Sequence, residues 1–155
     1  LMFKQELPLM FPDDPDVIKV RDAMYDPFEY LMLRHKDGKL NTEFRNSLGK
    51  VSYQVPCHVR VQTIGLKTRD VLKLVPDTTV DAIERCSGHD GTYAVKKEFH
   101  DISKKIARPV VGKVRKAEAD HFTSDCPMAA EQIAQGLEGQ GAENPMGLLK
   151  HAYGI

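Results

Sequence analysis

The amino-acid sequence predicts an α/β domain with a mainly parallel sheet, crossover helices and an N-terminal helical arm. Three segments with strand character, 51–56, 78–84 and 121–125, alternate with longer segments whose apolar residues recur at helical spacing. This alternation favours a parallel sheet, because parallel strands need a crossover connection between them. A cysteine follows each predicted strand, and we therefore expect all three thiols at the carboxyl edge of the sheet.

The composition is typical of a soluble globular protein and excludes several other classes. Of the 155 residues, 41% are hydrophobic and 28% are charged, and the 22 basic residues balance the 22 acidic ones. This balance leaves no net charge to attract nucleic acid. No apolar run approaches the roughly 18 residues that a membrane helix needs, so we expect membrane association only through a partner. Three widely spaced cysteines argue against a disulfide framework and favour a cytoplasmic location.

Two parts of the chain differ in pattern, with a boundary expected near residue 48. Residues 1–48 are expected to form an arm and helices, and residues 49–155 the cysteine-rich α/β domain. The proline-rich stretch 1–12 predicts an extended arm. The stretch 26-DPFE-29 predicts a helix start, since it has a capping aspartate, a proline in the first turn and a glutamate three residues after the cap.

A long helix is predicted after the second strand. Apolar residues at intervals of four, three and four are predicted to share one face of this helix: Val95, Phe99, Ile102 and Ile106. Pro109 is expected to kink or end this helix, because proline lacks the N–H group of the helical hydrogen bond.

The thiols that follow the strands are Cys57, Cys86 and Cys126. Three thiolates at one sheet edge suit zinc or iron–sulfur chemistry, because soft sulfur ligands favour these metals. His58 and His89 each adjoin a cysteine and could add a nitrogen ligand. The alternative is that each cysteine is a small buried residue of the core.

The segment 87-SGHDGT-92 carries the other candidate cofactor-binding residues: Ser87, Gly88 and Gly91. Glycines would let the backbone approach a bulky cluster and offer it N–H groups. If this loop began a helix, it could instead bind phosphate. A thiol enzyme is a further alternative, with Cys126 at a helix N-terminus and His58, His89 or His121 as base. We assign no catalytic residue from the sequence.

Three segments resemble the cysteine-rich (CCG) domain of the heterodisulfide reductase B-subunit family: 55-VPCHVRVQTIG-65, 83-IERCSGHDGTY-93 and 124-SDCPMAAEQI-133. The resemblance is strongest to the third, iron–sulfur subunit of anaerobic glycerol-3-phosphate dehydrogenase and to rubrerythrin-associated iron–sulfur oxidoreductases. It extends to 4-KQELPLMFPDD-14 and 26-DPFEYLMLRHKDG-38 and so spans nearly the whole chain.

The family motif is a cysteine, then Cys-Cys-Gly, then Cys-x-x-Cys. By resemblance, the first cysteine of each element falls on Cys57, Cys86 and Cys126, and the glycine on Gly88. Ser87 and Ala129 replace the two remaining motif cysteines. The non-cubane four-iron cluster of the family needs the full set, so the resemblance implies instead a 4Fe-4S cubane. Its fourth ligand would be His89 or His58, or one iron would stay open.

The resemblance implies an electron-transfer domain of an oxidoreductase complex. Family members usually carry two motifs, and this chain, which begins with Leu1, carries one. We therefore expect the C-terminal half of a longer protein. Its partner would be the other half of the same protein or a dehydrogenase or rubrerythrin-like subunit, and a homodimer would be one way to cover an apolar patch. Two alternatives remain open: a zinc-binding or metal-free assembly module, and a site whose open iron binds substrate.

Overall fold

The computed structural model describes residues 1–89, 91–138 and 141–155. Contacts between Cα atoms divide the chain into two compact units, Leu1–Leu40 and Asn41–Ile155. Within the described ranges, no helix has the length and apolar character needed to cross a membrane.

The first unit is helical from its start. A π-helical turn at Met2–Glu6 leads into α1 (Leu7–Met10), and α2 (Pro15–Ala23) and α3 (Pro27–Lys36) follow. The prediction of an extended arm over residues 1–12 is therefore wrong. Of its two prolines, Pro8 lies in the first turn of α1, where the missing N–H has no intrahelical acceptor to lose, and Pro12 follows the end of α1.

The predicted start of α3 is confirmed in detail. The Asp26 carboxylate accepts hydrogen bonds from the backbone N–H groups of Phe28 at 2.9 Å and Glu29 at 3.3 Å. The Glu29 carboxylate in turn accepts the Asp26 N–H at 3.3 Å. Such a reciprocal cap satisfies donors that the helix itself leaves unpaired, and it contributes about 0.5–2 kcal/mol.

The second unit contains a three-stranded parallel sheet. Strands β1 (Gly49–Gln54), β2 (Thr78–Ile83) and β3 (His121–Ser124) lie in the order β2-β1-β3. Helices α4 (Cys57–Val61) and α5 (Lys67–Leu72) connect β1 to β2, α6 (His100–Ala117) connects β2 to β3, and α7 (Pro127–Ala134) and α8 (Pro145–Tyr153) follow. The prediction of an α/β fold with a mainly parallel sheet and crossover helices is confirmed.

A hydrophobic core joins the sheet to α6 and α7. Its buried members come from β2, α6, β3, α7 and the turn after α7: Ile83, Val110, Val114, Phe122, Ile133 and Leu137. Full burial of a side chain of this size contributes roughly 1.5–3 kcal/mol. The core therefore holds α6 and α7 against the sheet. The carboxyl ends of the strands extend from this well-packed region.

Helix α6 differs from its prediction in two respects. It continues through Pro109 to Ala117. Pro109 lies on the exposed side of the helix, where water can solvate the carbonyl group that the missing N–H leaves unpaired.

The apolar face predicted for this helix is also not the face that α6 buries. Ile102 and Ile106 are 45% and 39% exposed, and Val95 lies outside the helix. The buried positions lie one residue further along, at Ser103, Ala107, Val110, Val114 and Ala117. This face begins with small residues, which allow a neighbouring loop to approach the helix closely, whereas the prediction followed the larger side chains.

The strand order places a crevice at the carboxyl edge of the sheet. From β1 the chain crosses to β2 on one side of β1, and then returns to β3 on the other side. In open α/β sheets, ligands bind beyond the carboxyl ends of strands at such a reversal.

Candidate functional site

A cavity of about 260 Å³ opens beyond the carboxyl ends of the strands. Its lining includes nearly all of the site residues predicted from the sequence, together with the substituted motif position Ala129: Cys57, His58, Cys86, Ser87, His89, Gly91, Cys126 and Ala129. Residues from three separate loops therefore converge on one cavity.

Each cysteine occupies an equivalent place after its strand. Cys57 is the first residue of α4, Cys86 lies in the loop after β2, and Cys126 is the N-cap of α7. Cys57 and Cys86 are exposed and Cys126 is half-buried, and all three are free thiols. This placement does not fit the alternative in which the cysteines are buried core residues.

Two thiols accept hydrogen bonds from nearby donors. The backbone N–H of Gly88 donates to Cys86 Sγ at 3.4 Å. The guanidinium group of Arg60 donates to Cys57 Sγ at 3.7 Å. Donors of this kind stabilise negative charge on sulfur.

Gly88 does not line the cavity but lies behind its wall, against α6. Its φ is +81°, and a Cβ atom there would overlap the carbonyl oxygen of Ser103. Only glycine accommodates both the left-handed backbone and this close approach. Gly88 thus shapes the Cys86 loop from behind, and its N–H is aimed at the sulfur.

A buried polar chain fixes the Gly88 loop to two helices. The Ser103 hydroxyl on α6 donates to the Gly88 carbonyl oxygen at 2.7 Å, and it accepts from Gln132 Nε2 on α7 at 2.7 Å. Ser103 is fully buried and Gln132 is 6% exposed. Because both bonds are shielded from water, losing either would leave a buried polar group without a partner.

Gln54, the last residue of β1, ties the three strand ends together beneath the cysteines. Its Nε2 donates to the carbonyl oxygens of Val55 and Arg85, each at 3.0 Å, and its Oε1 accepts the Ser124 hydroxyl at 2.8 Å. The Ser124 oxygen also accepts the N–H of Cys126 at 3.3 Å. Gln54 and Ser103 were not predicted from the sequence. The signal that could have identified them is a polar residue at a position where the surrounding pattern is apolar.

One cavity-lining residue has a ring nitrogen without a hydrogen-bond partner among the described residues. His89 Nε2 is buried, and it forms no hydrogen bond within the part of the chain that the structure describes. A buried polar atom without a partner costs about 1–3 kcal/mol, so a ligand bound to this nitrogen would remove that cost.

The remaining candidate residues lie outside this arrangement. His121 is the first residue of β3, away from the cysteine edge, and its Nδ1 lies 2.6 Å from Glu143 Oε1. No helix begins at the described residues of this loop, 87–89 and 91–92, so the alternative of a phosphate site at a helix start does not fit the structure. Asp90 lies outside the described residues.

The described side chains do not form a site for a single metal ion. Across residues 1–89, 91–138 and 141–155, no three His, Cys, Asp or Glu groups converge closely enough to hold one. The structure instead places cysteine and histidine side chains along the wall of a cavity that is large enough for several atoms.

Comparison with known proteins finds relatives that are similar over part of their length. The chain is 31% identical over 104 residues to the C-subunit of the anaerobic glycerol-3-phosphate dehydrogenase of Escherichia coli strain K12, a match that covers 66% of this chain and 26% of the relative. The same protein of Escherichia coli O157:H7 matches equally. The chain therefore spans about a quarter of the length of these relatives.

No family model matches the chain. No solved structure matches it either. The similarity to the dehydrogenase C-subunit supports the link to that protein predicted from the three cysteine segments, whereas the wider link to the heterodisulfide reductase family stays a prediction.

Proposed function

We propose that the cavity binds an iron–sulfur cluster and that the chain transfers electrons as part of an oxidoreductase. The observation that carries this proposal is the convergence of Cys57, Cys86 and Cys126 on one cavity from three loops. Thiolates are the protein ligands of iron–sulfur clusters. The similarity to a dehydrogenase subunit supports a place within an oxidoreductase complex.

The residues present fit such a group. The cavity of about 260 Å³ exceeds the space of a single ion, and three soft donors surround it. His89 Nε2, which is buried and has no hydrogen-bond partner among the described residues, would supply a fourth ligand, and His58 lines the same cavity. We propose that the three cysteines and His89 hold a 4Fe-4S cluster; when bound, it supplies one-electron transfer.

The residues around the sulfurs would set the reduction potential. The Gly88 N–H and the Arg60 guanidinium donate to cysteine sulfurs, and such donors favour the more negative, reduced form. Cys57 and Cys86 are exposed, so an electron-transfer partner can approach the site closely. The backbone around Ser87 and Gly91 completes the wall on this side.

The polar residues below the cavity would hold the three cysteine-bearing segments in fixed positions relative to one another. Gln54 fixes the strand ends, and Ser103 fixes the Gly88 loop to α6 and α7. A rigid arrangement keeps the ligand positions unchanged when the charge of the site changes, which favours fast electron transfer.

The partner, on this proposal, is another redox subunit or another segment of a longer protein. The chain matches about a quarter of a dehydrogenase subunit, so a dehydrogenase is the first candidate and a rubrerythrin-like protein the second. The wider family assignment, a CCG domain of the heterodisulfide reductase type, belongs to this proposal.

The test is reconstitution of the chain with iron and sulfide without oxygen, followed by electron paramagnetic resonance of the reduced protein. We expect a cluster signal that Cys86→Ala abolishes, because that variant removes a ligand. His89→Ala should change the shape and potential of the signal. The matched control is His100→Ala, since His100 begins α6 and does not line the cavity. A signal that survives Cys86→Ala unchanged would refute the proposed ligands, and stoichiometric zinc binding with no iron uptake would favour the zinc module.

A further inference from the structure

A second cavity, of about 430 Å³, lies between α6 and α7. This volume falls in the range of about 300–1,000 Å³ that is typical of small-molecule sites. Three cations of α6 line it, Lys104, Arg108 and Arg115, and no carboxylate of a described residue does. Val111 contributes to an apolar floor between the cations.

Two of these cations are unpaired among the described residues. Lys104 and Arg108 form no ion pair within the described ranges. They lie four residues apart on one helix face, where like charges repel each other. Arg115, in contrast, donates to the carbonyl oxygen of Gly136 at 2.9 Å and lies 3.8 Å from Glu138. The charge available for a ligand is therefore at the Lys104–Arg108 end of the cavity.

A glycine in the middle of α6 keeps the cavity wall open. A Cβ atom at Gly112 would meet no other atom within 4 Å, so packing does not require glycine there. Glycine inside a helix lowers helix stability relative to alanine. Gly136 is different, because a Cβ atom there would come 2.9 Å from the Val111 methyl groups. Gly112 therefore leaves space beside the cavity, and Gly136 lets the chain after α7 approach Val111 on α6.

The cavity shares one buried residue with the cysteine loop. Gln132 lines the cavity, and its Nε2 donates to Ser103, which donates to the Gly88 carbonyl oxygen. A ligand that displaced the Gln132 amide would alter the hydrogen bond that holds Gly88, and Gly88 donates to Cys86 Sγ.

We propose that the cavity between α6 and α7 binds a small molecule bearing a phosphate or pyrophosphate group, held by Lys104 and Arg108, and that its occupancy is transmitted through Gln132 and Ser103 to Gly88. A phosphate dianion matches the two unpaired cations in charge. Its several oxygens can accept from both the ammonium group and the guanidinium fork. The amide of Gln135 and the apolar floor accommodate the rest of the molecule.

Binding at this cavity does not depend on the iron–sulfur proposal, because the two cavities are lined by different residues. It can be tested on the chain before any metal is added. Its failure would leave the cysteine site untouched, and loss of the cluster proposal would leave this cavity as it is.

The test is a titration of the ¹⁵N-labelled chain, followed by NMR at constant ionic strength. Inorganic pyrophosphate and a nucleoside diphosphate are the two phosphate probes, and citrate is the carboxylate comparison. We expect saturable binding of a phosphate probe, weakened about tenfold or more in Arg108→Gln and in Lys104→Gln. The matched control is Lys113→Gln, which removes the same charge from α6 outside the cavity and should change the affinity less than about twofold.

The two phosphate probes distinguish the source of the phosphate. Tighter binding of the nucleoside diphosphate would support an organic ligand on the apolar floor, and equal binding would support the phosphate group alone. Equal loss of affinity in Lys113→Gln and Arg108→Gln would overturn the site, as would citrate binding as tightly as pyrophosphate. All of these side chains are exposed, so the variants should fold normally.

The link to the cysteine loop has its own readout. Pyrophosphate should shift the Gly88 amide resonance, and Ser103→Ala should remove that shift while the dissociation constant stays within about twofold. A Gly88 resonance that does not move at saturation would overturn the link.

Discussion

Gly88 is the residue whose conformation most constrains the cysteine loop. Its positive φ and its contact with the Ser103 carbonyl oxygen leave no space for a side chain. In the sequence this position is a glycine two residues after Cys86, and it was predicted to let the backbone approach a cofactor. The structure shows a different use, since Gly88 lets the loop lie close to α6 and aims an N–H group at Cys86.

Alanine at position 88 should destabilise the fold strongly. We expect Gly88→Ala to lower the free energy of unfolding by about 3 kcal/mol or more, because the methyl group would meet backbone and the φ would be strained. Gly91→Ala is the matched control: its φ is also positive, at +51°, but a Cβ atom there would meet nothing within 4 Å. Gly91→Ala should lower the free energy of unfolding by only about 1 kcal/mol. Urea unfolding measures both, and equal costs would contradict the close packing of Gly88 on α6.

Adding a thiol at position 87 through Ser87→Cys should strengthen cluster binding. Ser87 lines the cavity and is close to cysteine in size, and the motif that the sequence resembles has a cysteine at this position. We expect the reconstituted variant to lose iron to a chelator at least about tenfold more slowly, because a fourth thiolate holds the cluster. Ser47→Cys, on an exposed loop away from the cavity, is the control. If both variants lose iron at the same rate, Ser87 does not face the cluster.

At the scale of elements, the alternation of strands and helices was predictable because each has its own spacing of apolar residues. The convergence of the cysteines followed from that alternation, since parallel strands end at one edge. The course of α6 was not predictable in the same way. Pro109 is tolerated because of its exposure, and the small residues Ser103 and Ala107 pack inward because a loop lies over them; both facts depend on tertiary contacts.

Gln54 links the elements that carry the cysteines, and its removal should loosen all three. We expect Gln54→Leu to lower the free energy of unfolding by roughly 2–4 kcal/mol, because two carbonyl groups and one hydroxyl would lose a buried partner. Gln62→Leu is the matched control, since Gln62 Nε2 donates to the carbonyl oxygen of His58 in its own turn. It should cost less than about 1 kcal/mol. Thermal or urea unfolding tests this, and the strand-end role would be contradicted if Gln54→Leu were as mild as its control.

At the scale of the whole molecule, the unit Asn41–Ile155 is built around a sheet whose strand order creates a crevice next to β1. The cysteine cavity lies at its carboxyl edge, and the basic cavity lies between two of its helices. The sequence predicted the first of these places from cysteine positions. It did not predict the second, because the basic residues of α6 resemble an ordinary solvated helix face until α7 is packed beside them.

The chain is similar to a dehydrogenase subunit over about a quarter of that subunit's length. The central claim is that the three thiols hold iron and sulfide. The most direct test is the iron, sulfide and zinc content of the chain purified without oxygen, with its absorption spectrum. We predict iron and sulfide in equal amounts and a broad band near roughly 400 nm. Zinc alone, or no metal with all three thiols freely titratable after anaerobic purification and attempted reconstitution, would contradict it.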